Sequence, residues 1–282
     1  MNSWKRFKKN KMACASCMII IVLVLSSLFA PVLSPYSYEE PTTGEALRQP
    51  FSQGHFLGTD NLKRDVFSRL LYGGRMSMLL AFMVALGSLF FGTAFGAVSG
   101  YAGGKLDNFM MRIVDIFYTF PAIVLIILMT LIFGRGVLGI LIALVLVGWA
   151  DVSRLVRGQV LQIKQEVYIE AANAMGISRR RLLMKYFLPN LWGPLIVTLT
   201  FQIPSAVLYE SFLSFIGLGL RPPYASWGTL ANDAWKLGAH KSLEYSYLIL
   251  VPSLAIFFSM LAFNLAGDGL RDALDPKLKN SR

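Results

Sequence analysis

Six stretches of about 20 residues, almost free of charge, recur along the chain and constrain its fold more than any other feature. A hydrocarbon core about 30 Å thick is crossed by a helix of about 20 apolar residues, because backbone groups inside it must bond within their own segment. The runs occupy residues 12–33, 76–101, 116–133 with a start as early as Phe109, the stretch from the Gly134-Arg135-Gly136 turn to about 156, 191–215 and 245–267. Asp151 and Arg154 interrupt the fourth near its end, and Glu210 lies in the fifth. With 55% hydrophobic and only 15% charged residues in 282, the chain lacks the polar surface of a soluble enzyme, a disordered tail or a secreted disulfide scaffold. The expected fold is an all-α membrane protein of six transmembrane helices.

Lys5, Arg6, Lys8, Lys9 and Lys11 precede the first run, as they would a cleaved secretion signal. The run is long, however, and Pro31 and Pro35 occupy the place where small residues mark cleavage, which favours a retained anchor. Cys14 and Cys17 are spaced as C-x-x-C at the start of an apolar run, without the surrounding pattern of a redox domain.

The net charge of +11 would suggest nucleic acid in a soluble domain, but here the cations must first be assigned to sides of a bilayer. Six crossings put both termini on one face. With that face cytoplasmic, 18 of the 27 Lys and Arg fall inside, as the positive-inside rule requires. The opposing feature is the basic stretch from Lys63 to Arg75, which this orientation places outside. Two long connections remain, an external one over residues 34–75 and a cytoplasmic one over residues 157–190.

The cytoplasmic connection is patterned as two short helices. Glu170 to Met175 favour helix, Gly176 tolerates the left-handed geometry of a helix end, and Ser178 can cap the second helix. Arg179, Arg180 and Arg181 oppose the dipole of that second helix and suit lipid phosphates or a partner. Alanines allow close backbone approach, so the segment suits a groove on another protein better than it suits catalysis. An ordinary solvated loop has the same composition.

Glu170-Ala171-Ala172, three residues, Gly176, then Leu188-Pro189 resembles the EAA motif of permease subunits of bacterial ABC importers. Tyr186 stands where that pattern prefers isoleucine. The resemblance implies that this helix docks in a cleft of an ATPase subunit. Leu57-Gly58-Thr59-Asp60, Arg64-Asp65, Gly73-Gly74-Arg75-Met76-Ser77, Leu213 to Gly219, Ala225-Ser226-Trp227-Gly228 and Gly267 to Pro276 resemble the C-type permeases of dipeptide and oligopeptide transport. Lys63 departs from that family, which commonly has glycine there.

Inside the apolar runs, Ser88, Gly92, Gly96 and Gly100 recur every fourth residue, the spacing that lets two helices meet at the backbone. Glu210 should face protein or water rather than lipid, where its charge would cost roughly 3 kcal/mol. Pro121 and Pro204 each free a backbone carbonyl, and Gln202 lies near the second. Pro121, Gln202, Pro204 and Glu210 are thus candidates for a translocation path. Asp115, Asp151 and Arg154 read as interfacial pairs, and neither His55 nor His240 has metal-binding spacing.

No G-x-x-x-x-G-K-[ST] loop occurs, so the chain is not expected to hydrolyse ATP. The resemblance implies a non-catalytic permease without a cofactor of its own, ATP and Mg being bound by partners. Those partners would be a second permease subunit, two cytoplasmic ATPases, an extracytoplasmic solute-binding protein and lipid, with no nucleic acid. Residues 1–75 would hold the tail, first helix and external segment, 76–267 the permease domain with its coupling loop, and 268–282 a cytoplasmic tail. The rival readings are a secondary transporter, which usually shows internal repeats and midplane carboxylates, and a membrane-bound enzyme or scaffold, which would cluster reactive groups in one span.

Overall fold

The computed structural model describes residues 7–52 and 54–274. Lys5, Arg6, Asp275, Pro276, Lys277, Lys279 and Arg282 lie outside the described residues, as do the side chains of Asn173, Arg179 and Arg180. The chain is built from helices: α1 (Lys11–Leu28), α2 (Ala30–Leu33), α3 (Val66–Ala102), α4 (Gly104–Thr119), α5 (Ala122–Phe133), α6 (Val137–Lys164), α7 (Val167–Ala174), α8 (Arg179–Leu182), α9 (Leu188–Phe215), α10 (Trp227–Leu237) and α11 (Tyr247–Leu274). Helices α1, α3, α6, α9 and α11 are long and apolar enough to cross a membrane, α9 together with the π turn Leu183–Phe187 before it. A sixth crossing forms if α4 and α5 count as one span.

That sixth crossing corrects the expectation of a continuous helix over residues 116–133. The pair is bent by 95°. Phe120 is extended (φ −109°, ψ 148°), because the proline ring after it crowds the helical conformation, and Pro121 starts the next helix.

Three other boundaries move, the first being the end of α6, which runs through Lys164 rather than to about 156. Helix α3 begins ten residues before the apolar run, at a cap where Asp65 accepts hydrogen bonds from the Ser68 amide and hydroxyl, each at 2.7 Å. Its 37 residues extend to about 55 Å, well beyond a hydrocarbon core of about 30 Å. Helix α11 likewise continues through Leu274, past the end expected at 267.

The early start of α3 is possible because Arg69, in its first turn, is paired. Asp60 accepts from Arg64 Nε at 2.8 Å and Arg69 Nη1 at 2.7 Å, and Asp233 of α10 pairs with Arg69 Nη2 at 3.1 Å. Two of the four cations in the basic stretch that opposed the charge-based topology, Arg64 and Arg69, are thereby paired with carboxylates. Asp65 also bonds buried His55 at 2.7 Å. Lys63 has φ +62°, a left-handed conformation in which glycine is less strained, which accounts for glycine at this position in the resembling family.

At the opposite end of the bundle, α1 meets the end of α11, where a Cβ on Gly269 would lie 2.3 Å from Ala13 Cβ. The most extensive helix contact is between α3 and α6. It follows the glycine seam. A Cβ on Gly92 would lie 2.7 Å from the Trp149 carbonyl oxygen, and one on Gly96 2.3 Å from that of Ser153. Ser88 continues the seam against Gly148. Near its lower end Asp107 of α4 receives Arg157 through two bonds of 2.6 Å and Ser99 through one of 2.5 Å, fixing α6 to α3 and α4.

Candidate functional site

Helix α7 hangs from the end of α6 and has two apolar faces. Ile169 and Ala172 are buried, packing with Leu182, Phe187 and Leu191 on Val156 and Val160 of α6. On the other side Val167 and Met175 are 78% and 71% exposed, with Ala171 and Ala174 exposed between them. Positions i, i+4, i+7 and i+8 share one side of a helix, so this is a continuous small-residue face open to solvent. Glu170 is exposed at the same helix.

Gly176 ends α7 with φ +73°, and a Cβ there would meet nothing within 4 Å. Its backbone conformation, not its surroundings, calls for glycine. The Ile177 amide donates to the Ala172 carbonyl at 3.2 Å, turning the chain toward α8. Leu188 and exposed Pro189 open α9 directly after the π turn Leu183–Phe187. Asn190 Nδ2 donates to the Tyr186 carbonyl at 2.6 Å and to the Tyr168 hydroxyl at 3.3 Å, tying α7 to the start of α9. Glu170, Ala171, Ala172, Gly176, Leu188 and Pro189 thus belong to one compact connection. The exposed Val167 and Met175 were absent from the residues singled out by sequence, although their eight-residue spacing was visible.

The translocation-path candidates do not converge. A cavity of about 310 Å³ lies between α3, α5, α6 and α9, and of the four only Gln202 lines it, its Nε2 donating to the Gly148 carbonyl at 3.2 Å. Pro121 is the exposed elbow before α5, and Pro204 is buried within α9. Glu210 is completely buried and lines no part of this cavity. The carboxylate that does line it is Asp151, which the sequence had suggested only as an interfacial pair.

Glu210 instead joins three helices. Its carboxyl accepts from Ser77 of α3 at 3.0 Å and from Ser214 of α9 at 2.8 Å. The Trp227 amide, at the start of α10, donates to Ser77 Oγ at 3.3 Å. Gly228 lets α10 approach, since a Cβ there would lie 2.5 Å from the Ser211 carbonyl oxygen. Replacing Glu210 with alanine should therefore cost about 2–4 kcal/mol by opening a cavity and stranding buried hydroxyls. Thermal unfolding in detergent should show a clear drop in midpoint, with Glu210→Gln recovering at least half of it. An unchanged midpoint for the alanine variant would contradict the clamp.

With this geometry in place, comparison with known proteins is informative. Residues 92–280 match the model of the binding-protein-dependent transport system inner membrane component, and residues 2–50 match the N-terminal transmembrane domain of oligopeptide transport permease C. The dipeptide transport system permease protein DppC of Bacillus subtilis is 42% identical, over 99% of this chain and 86% of that protein. The oligopeptide transport system permease protein OppC of the same organism is 40% identical over 99% and 91%. The glutathione transport system permease protein GsiD of Pectobacterium atrosepticum is 37% identical over 98% and 91%. Among solved structures, the inward-facing MetNI methionine ABC transporter contains a chain that superposes with a TM-score of 0.60 at 19% identity, over 74% of this chain and 97% of that one. The helical architecture is thus that of a type I ABC importer permease.

Proposed function

Since this chain belongs to the family of binding-protein-dependent transport system inner membrane components, a multi-pass permease of the inner membrane, we propose that it is the C-type subunit of an ATP-driven importer of di- or oligopeptides. It would pair with a second permease around the path, receive peptide from an extracytoplasmic binding protein, and take up work from two cytoplasmic ATPases that bind ATP and Mg. The termini and α7 would face the cytoplasm.

One observation carries this reading: α7 is packed on the bundle through Ile169 and Ala172 while its opposite apolar face is open. A partner seated on that face would move α6 and α9 with it, because Ile169 and Ala172 pack on Val156 and Val160 of α6 and Asn190 of α9 bonds Tyr168 of α7. Closing of an ATPase dimer would then switch the spans between inward and outward access. The names of the relatives at about 40% identity support peptide as cargo.

Uptake of labelled peptide by cells carrying the complete system should stop on ATP depletion and persist with a proton uncoupler. Uptake that needs the proton gradient and survives without ATP would establish a secondary transporter instead.

A further inference from the structure

The cavity between α3, α5, α6 and α9 has an asymmetric chemistry. Its walls are largely apolar, including Val84, Ile126 and Leu144, and its one charged side chain is Asp151. Asp151 lies midway along the 28-residue α6, a helix apolar enough to cross a membrane. A carboxylate in such a helix calls for a named partner.

Among the described residues, no cation fully supplies that partner. Asp151 accepts a hydrogen bond from the Tyr118 hydroxyl, a neutral group. Arg154, one turn further along α6, bonds Asp115 at 2.7 Å and covers the Tyr118 ring at 3.8 Å. Two carboxylates and one guanidinium leave one negative charge in excess beside the cavity.

Three other polar side chains on the wall each spend a donor on a backbone carbonyl. Ser205 donates to the Phe201 carbonyl at 3.0 Å, Thr198 to that of Pro194 at 2.8 Å, and the Gln202 amide to that of Gly148 at 3.2 Å. Each retains acceptor lone pairs. A site with several acceptors and one surplus negative charge suits a group that carries several N–H donors and a positive charge.

We propose that this cavity holds the α-ammonium group of the peptide in transit, with Asp151 as its counter-ion, so that the permease itself reads a free amino terminus. This rests on peptide being the cargo. Asp151 is then a specificity-determining contact, and Tyr118 only orients it.

The test uses the complete transporter, with its binding protein and ATPases, in proteoliposomes with labelled trialanine. The wild-type complex must import trialanine; failure there overturns the cargo reading before any variant is compared. Asp151→Asn should lower the import rate at least about tenfold at saturating loaded binding protein. Asp151→Glu should restore most of the rate, and Tyr118→Phe should lose clearly less than Asp151→Asn, since it removes one hydrogen bond at an exposed site and leaves the carboxylate charge in place. Wild-type import by Asp151→Asn, or an equal loss in Tyr118→Phe, overturns the proposal.

A second measurement leaves Asp151 in place. In a chain with Cys14 and Cys17 changed to serine, Ser205→Cys should react at least about tenfold faster with aminoethyl than with sulfonatoethyl methanethiosulfonate, because the local field concentrates cations. Trialanine should slow that reaction. Equal rates for the two reagents, or no protection, overturn the proposal.

Discussion

Replacing Gly176 with arginine is expected to leave the complex assembled in the membrane and to reduce peptide import by on the order of a hundredfold, a loss comparable to removing an interface hot spot. Two effects combine at this position. The residue has φ +73°, so any L side chain costs roughly 1 kcal/mol in backbone strain. Nothing in this chain lies within 4 Å of the added Cβ, so the bundle itself has room for the new side chain. The added bulk and charge must instead project from the exposed end of α7, beside Met175, where a partner would seat. Gly176→Ala separates the two contributions, because it carries most of the strain and little of the bulk, and should lose less than about tenfold. The measurement is the number of ATP molecules hydrolysed per peptide imported, alongside the yield of assembled complex. Full import by Gly176→Arg would remove α7 as the point where work enters; loss of assembly would show that the glycine serves folding instead.

Much of this site was legible because it depends on local chemistry. Ala171, Ala172 and Gly176 announce a short helix with a left-handed exit, since helix propensity and positive φ are properties of the residues themselves. The glycine seam of α3 was equally readable, because close helix approach needs small residues at a fixed spacing. Glu210 and Asp151 were not, and for one reason. A carboxylate within an apolar run must be satisfied, but whether by hydroxyls or by a cavity depends on how the helices are rotated about their axes. Ser77 and Ser214 reach Glu210 from residues 133 and 4 positions away, and only the first of these contacts is hidden from sequence. The start of α3 was likewise hidden, because Arg69 looks like a reason to end an apolar helix until Asp60 and Asp233 are brought beside it. Pro121 signalled a disturbance without indicating that the helix axis would turn by 95°.

Replacing Gly96 with valine is expected to prevent the subunit from reaching its assembled, thermally stable form. At the α3–α6 crossing the first added carbon would lie 2.3 Å from the Ser153 carbonyl oxygen, 3.0 Å from Val156 Cβ and 3.1 Å from the Arg157 amide nitrogen. Two of those three atoms are backbone, so no rotamer change relieves the overlap and the helices must separate. Overpacking in a dense core costs about 1–3 kcal/mol, and here valine adds two further methyls against backbone, so the upper end or beyond is expected. Separation would also pull Arg157 from Asp107, where two bonds of 2.6 Å fix the part of α6 that leads into α7. The expected result is a much lower yield of intact complex, with a depressed unfolding midpoint in whatever is recovered. Gly158→Ala is the control, since it lies on α6, the other helix of the crossing, but an added Cβ meets nothing within 4 Å; it should be neutral or stabilising by about 0.5–1 kcal/mol through helix propensity. Equal midpoints for Gly96→Val and Gly158→Ala would mean that the two helices do not approach at the backbone. The rigid path from α7 to the spans would then have to run through α9 alone, by way of Asn190 and Phe187.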